Sequence, residues 1–168
     1  IEGDISETGG SRKLTVTGST TLILAGNCAY TGGTDVLKGI LQVDGTLGTA
    51  GSTVTVGSGS SATVLKGTGA VTGSVVVNSN GSLQPGAGVG SMAINGSADV
   101  NGGLKIEYNS DLDTIDCLNV SGDLDLGAAT LTFTDLGSGT LASRVYVLAT
   151  YGGTLTQPTV APTTVPTG

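Results

Sequence analysis

The chain has 168 residues, 13 acidic and six basic side chains, a net charge of −7 and no His. That excludes Ser-His-Asp and Cys-His nucleophile pairs and any zinc site containing His, and without a basic stripe it argues against nucleic-acid binding. Thirty Gly, four Pro, one Phe and no Trp disfavour helices, aromatic-walled pockets and a Trp-centred sandwich core, and with no strict Gly-X-Y period they do not make a collagen.

Residues 1–13 are polar and turn-rich and read as a short N-terminal cap or lead-in. The chain starts at Ile1 without a basic and apolar leader, so a signal peptide is expected to have been removed or omitted. Regular strands begin at Leu14-Thr15-Val16, and Leu22 and Leu24 share one face with Ile23 on the other. From Leu24 to Val43, apolar runs alternate with Gly-Asn and Gly-Gly corners. Further strands are predicted near 53–56, 62–65, 74–77, 91–94, 98–100, 104–108, 116–120, 123–126, 130–133 and 144–149. No stretch places apolar residues at i, i+3 and i+4 over three turns, so almost no helix is expected.

Hairpins also fit such short strands. The turn chemistry repeats in one style, however, and that favours an all-β solenoid with one domain over 14–151. About three strands per coil give about six to seven coils, a stack roughly 30 Å tall at ~4.8 Å per coil. The inward positions on this reading are Leu41, Val43, Val54, Val56, Val75, Val77, Met92, Ile94, Leu104, Ile106, Leu118, Val120, Leu124, Leu126, Leu131, Phe133, Val145 and Val147. Cys28 and Cys117 then stand roughly four coils or ~20 Å apart, beyond the ~7 Å a disulfide spans, and are expected as two separate, mostly buried thiols. Residues 152–168 hold three of the four prolines and read as an extended Pro/Thr-rich tail. No run of 18 apolar residues is present, so no membrane insertion is expected.

The segment Leu24–Val43 resembles the autotransporter-associated β-strand repeat of bacterial surface proteins. Leu24, Gly26, Asn27, Tyr30, Thr31, Gly32, Gly33, Thr34, Val36, Gly39, Leu41 and Val43 carry the match. Cys28 stands where the repeat has a second Asn, which implies a weaker side-chain ladder at that corner. Gly67-Thr68-Gly69-Ala70-Val71, Val75–Asn78 and Gly81–Gly86 are similar in style, and Tyr146-Val147-Leu148 before Tyr151 is similar to a closing strand. The resemblance covers roughly residues 14–155. It implies a secreted, right-handed parallel β-helix and no particular activity.

Asp111, Asp113 and Asp116 form the densest acidic cluster, with Asp123 and Asp125 beyond. Carboxylates at short spacing suit Ca²⁺. The EF-hand and RTX patterns are absent, so the cluster reads first as a solvated turn before the 116–120 strand, with calcium as the alternative. Asp99 with Glu107, or Asp123 with Asp125, would be the carboxylate pair of a polysaccharide-degrading site. The near absence of aromatic platforms and cations argues against one, and no catalytic or cofactor-binding residue is assigned. Gly67-x-Gly69-x-x-x-Gly73 and Gly86-x-Gly88-x-Gly90 lack a following helix and a P-loop Lys, and read as corners. The Thr-x-Thr pairs are not spaced by one coil and read as ordinary strand positions. Asn80, Asn95 and Asn119 fit the glycosylation pattern, but Asn-Gly turns explain the first two.

The expectation is a non-enzymatic, extracellular structural module that self-associates end to end or through its C-terminal tail. The alternative is an adhesin that binds a surface glycan through Tyr108 and Asn109 near Asp111. A polysaccharide-degrading enzyme is the remote third.

Overall fold

The structure is a computed structural model and describes residues 1–159 and 161. The chain winds through β1 (Leu14–Val16), β2 (Thr21–Leu24) and β3 (Asn27–Cys28), then β4 (Thr34–Val36), β5 (Gly39–Val43) and β6 (Thr46–Leu47). It continues through β7 (Thr53–Val56), β8 (Thr63–Gly67) and β9 (Ala70–Val71), then β10 (Ser74–Val77), β11 (Gly81–Pro85) and β12 (Ser91–Ile94). After β13 (Ala98–Val100) and β14 (Gly103–Asn109) comes a short β15 (Thr114–Ile115), then β16 (Cys117–Val120). The last strands are β17 (Leu124–Asp125), β18 (Thr130–Asp135), β19 (Ala149–Tyr151) and β20 (Leu155–Thr156).

Each strand pairs with the one a full coil away, not with its neighbour in sequence. The first face is β1-β4-β7-β10-β13-β17-β20, the second β2-β5-β8-β11-β14-β18, and the third β3-β6-β9-β12-β16-β19. These ladders are parallel; the small β14–β15 pair and the isolated Gly67–Gly86 bridge are antiparallel. The fold is therefore the expected all-β solenoid. No helix of the described residues is long and apolar enough to cross a membrane.

Like stacks on like in the interior. On the second face Leu22, Leu41, Leu65, Leu83, Leu104 and Leu131 form one unbroken row. On the first face Val16, Val36, Val56, Val77 and Val100 do the same. On the third, Cys28 starts a row through Leu47, Val71, Ile94 and Val120. Most of these side chains have no exposed surface. Burying each is worth roughly 2 kcal/mol, which the narrow column gains without any aromatic filler. Tyr30 is the exception: it lies inside with its hydroxyl 2.7 Å from Thr34 Oγ1, and burial pushes it up to about 12.

Corner glycines make this stacking tight. Between the second and third faces Gly26, Gly45 and Gly69 lie over one another. A side chain on Gly45 would run into the Gly26 and Ala25 carbonyls, and one on Gly69 into the Gly45 carbonyl. The Gly67–Gly73 and Gly86–Gly90 runs fall at corners, between or at the ends of strands.

Four expectations need correction. On the third face the chain returns five times between β3 and β19, slightly fewer turns than the six to seven coils expected. The reason is that the coils lengthen: Leu14 faces Thr34, 20 residues on, whereas Leu124 faces Leu155, 31 residues on. Val145 and Val147 are 92% and 57% exposed, not inward. The strand expected at 144–149, with its closing Tyr146–Leu148, lies instead at Ala149–Tyr151. Stacking on Leu118–Val120 sets that register and leaves 145 and 147 on the loop before it. Finally, Cys28 weakens no outward ladder, because it points into the core at 1% exposed. The outward neighbour is Asn27, whose Oδ1 accepts the Thr46 hydroxyl at 2.6 Å. Both thiols are free, Cys28 buried and Cys117 half-buried, on strands four places apart in the third face.

Pairing at the N-terminus reaches Ile5, which bridges to Cys28, while the Ala25 N–H donates to the Ile1 carbonyl. At the other end it reaches Leu155–Thr156. Residues 160 and 162–168, which belong to the proposed tail, lie outside the described residues.

Candidate functional site

One corner of the prism departs from the repeat. Between the second and third faces the connections are Ala25–Gly26, 44–45 and 68–69, then 86–90, 110–116 and finally 136–148. The last two project together as an outgrowth at the C-terminal end. Insertions of this kind on a rigid scaffold are where binding groups are most often carried.

Hydrogen bonds from the acidic cluster hold the outgrowth together. Asp111 Oδ2 accepts the Ser138 N–H at 3.0 Å. Asp113 accepts the Ala142 N–H at 3.1 Å and the Tyr146 hydroxyl, and pairs with the Arg144 guanidinium at 2.7 Å. The Tyr146 bond in particular holds the Asp113 carboxyl below its usual range. Asp113 is also the described non-glycine residue with positive φ, at 56°, a conformation Asp tolerates better than most residues. The Arg144 guanidinium lies 4.9 Å from the centre of the Tyr146 ring, within reach of a cation–π contact.

Asp116 does a different job. Its side chain is fully buried, and its two oxygens accept the Gly90 and Glu107 N–H groups, each at 2.8 Å. It therefore ties the base of the outgrowth to the 86–90 corner. Burial pushes its carboxyl up to about 6. Asp111, Asp113 and Asp116 thus have separate backbone partners, and no group of three or more acidic or Cys side chains among the described residues is placed to hold a metal.

Between the outgrowth and the solenoid end lies a cavity of about 340 Å³. Its lining includes the apolar Ile115, Phe133, Leu141 and Leu148 and, among the polar residues, Arg144 and Tyr146. Its size falls at the low end of small-ligand sites. Exposed Leu112, Leu136, Val145 and Val147 lie on the same two loops. Of the residues named for the adhesive reading, Tyr108 pairs with Ile115 across the β14–β15 ladder. Asn109 Oδ1 is taken up by the Asp111 and Leu112 N–H groups, both at 3.0 Å.

The carboxylates considered for glycan cleavage are distributed otherwise. Asp99 is on the first face and Glu107 on the second. Asp123 accepts both the Thr154 N–H at 2.7 Å and its hydroxyl at 2.8 Å, which hold it below the usual range. Asp125 accepts the Gly127 N–H at 2.8 Å. The register instead sets Asp99 beside Asp125, a neighbour pair 26 residues apart in sequence that only stacking creates. The sequence reading found the acids of the outgrowth but not Arg144, Tyr146 or the cavity. The available signal was the lengthening gap between strands after Asn109.

Comparison with known proteins agrees with the repeat. The family described as passenger-associated-transport-repeat matches residues 14–43. The chain is similar to the protein named "Adhesin BmaC autotransporter" of Brucella suis biovar 1 (strain 1330), with 33% identity over 167 residues. That alignment covers 88% of this chain and 4% of the relative, so the chain corresponds to a small part of that protein's length. No solved structure matches.

Proposed function

We propose that this autotransporter passenger-like repeat chain is a non-enzymatic extracellular module, a rigid solenoid rod at the bacterial cell surface. The single observation behind the reading is the unbroken leucine row from Leu22 to Leu131, which joins the coils into one continuous column. A repeat stack of this kind resists bending because every coil is hydrogen-bonded to the next. End-to-end association belongs to the same reading. The strands β19 and β20 end their sheets, and a copy stacked there would continue the ladders without a closing symmetry. Electron microscopy and sedimentation test this. Rods that lengthen with concentration are expected; a compact particle overturns the rod, and a strict monomer at high concentration overturns the association. Turnover of polyuronates in the presence of Ca²⁺ would overturn the non-enzymatic assignment.

A second reading, adhesion, is favoured by the outgrowth and its cavity, and by the printed name of the Brucella relative. Here the rod presents the outgrowth to a host or glycan surface. Binding to host cells should fall at least tenfold in Tyr146→Ala while the rod shape is kept. Unchanged binding would count against the outgrowth as the adhesive part.

A further inference from the structure

Unpaired positive charge gathers on one side of the prism. Lys13 and Arg144 have acidic partners, Asp35 and Asp113. Among the described residues Arg12, Lys38, Lys66 and Lys105 have no ion pair; Arg12 precedes β1, and the three lysines belong to the second face or the corner leading into it. The first face carries Asp35, Asp99 and Asp125 in its outward row instead. The molecule is therefore electrically two-sided despite its net charge of −7.

The register arranges the basic side regularly. Gln42 stands beside Lys66, and Lys66 beside Gln84. The pairing of Leu83 with Leu104 sets Lys105 next to Gln84. Carboxamide and ammonium groups thus alternate along the solenoid axis, with the two ammonium groups two strand steps or ~9.6 Å apart. Beside this row runs a low floor of half-buried Ile40 and Val64, continued by Ser82 and Gly103. Among the described residues, acids of this face stand toward the third face: Asp44, which accepts the Gln42 Nε2 hydrogen at 2.7 Å, Glu107 and, at the end of β18, Asp135.

We propose that the outward face of β5, β8, β11 and β14 binds a linear polysaccharide with one acidic group on every second sugar. Each sugar ring is about as long as one strand step, so alternate rings meet Lys66 and Lys105 while the rings between meet Gln42 and Gln84. The floor admits the C–H faces of the rings. Nucleic acid does not suit this spacing, since a strand carries a charge about every 3.4 Å and is held by dense basic groups. With no aromatic platform the binding is weak and salt-sensitive. The proposal shares with the adhesive reading only its premise, an extracellular module that meets a glycan, and places the contact on the second face instead of the outgrowth.

The probe is hyaluronan oligosaccharide, which has one carboxylate per two sugars, titrated at about 20 mM and about 150 mM salt. Saturable binding at the lower salt is expected, weaker at least fivefold at the higher. The Lys66→Gln/Lys105→Gln variant should lose at least tenfold, whereas Lys13→Gln, beside Asp35 of the first face, should bind as the parent does. Circular dichroism establishes that each variant is folded. The proposal is overturned if the parent does not bind, if the double variant binds equally well, or if neutral dextran or a single-stranded oligonucleotide binds as tightly. Loss in Tyr146→Ala alone would assign binding to the outgrowth and overturn the stripe.

Discussion

Asp116 carries a carboxyl with no exposed surface, and burial pushes it up to about 6 against an ordinary 3.8. The Gly90 and Glu107 N–H groups favour the charged form, but loss of water outweighs them. Between roughly pH 4 and pH 6 the native chain therefore keeps a proton that the unfolded chain has released. The stability this group contributes is full below the unfolded value, falls as the pH rises through about 6, and stays lower above it. The fall is on the order of 3 kcal/mol. Denaturation midpoints followed across this window should drop for the parent and stay nearly level for Asp116→Asn; parallel curves would refute the assignment. Asp113 and Asp123 act with the opposite sign, their carboxyls being held low by Tyr146 and Thr154. Their contribution is present above the ordinary carboxylate range and is lost as the pH falls, so it lies on the acid side of the Asp116 window. Glycines are also graded at this scale. Gly45→Ala places a methyl group on the carbonyls of the coil below and should cost about 1–3 kcal/mol. Gly3 has open space around it, and Gly3→Ala should shift the thermal midpoint by no more than a degree or two.

The inward rows and the outgrowth behave differently as elements. Leu83 is fully buried in the middle of the leucine row, and Leu22 is half-buried at its end. Leu83→Ala should cost about 2–5 kcal/mol and Leu22→Ala clearly less, because an end position relaxes around a cavity more easily. Equal losses in chemical denaturation would contradict a column closed in the middle and open at its end. The outgrowth is held by a few surface hydrogen bonds centred on Asp113. Tyr146→Phe removes one of them and should raise amide exchange across 136–148 while leaving the midpoint of the solenoid nearly unchanged. A large fall in global stability would mean that the outgrowth is part of the core. The inward rows were legible as apolar alternation at short intervals. Asp111, Asp113 and Asp116 were legible as a cluster, but not their partners: Ser138, Ala142, Arg144 and Tyr146, which meet Asp111 and Asp113, lie on the next coil, and Gly90, which meets Asp116, on the one before.

At the scale of the whole molecule, stability is a sum of coil contributions and coil-to-coil contacts, as in other repeat stacks. Unfolding is expected to start at an end. Exchange protection should be highest around Val56, Leu65 and Ile94, in the middle of the stack, and lowest at β1 and β20. Uniform protection from end to end would rule out this gradient. The same geometry makes the prism two-sided, with lysines on the second face and aspartates on the first.

From the sequence alone came the absence of helix, the aliphatic column, the two unbridged cysteines and the passenger-like repeat. The first two rest on local periodicity and turn chemistry, which act over a few residues; the cysteines follow from a separation of several coils, and the repeat from its resemblance over Leu24–Val43. The tertiary structure decided what depends on the length of each coil. A strand's neighbour is set by how many residues its corner holds, and these grow from two at Ala25–Gly26 to the long 136–148 connection. That growth places Val145 and Val147 outside, joins Asp113 to Arg144 and Tyr146, sets Asp99 against Asp125, and lines up Lys66 with Lys105. Register is a property of stacked coils, and no single coil contains it.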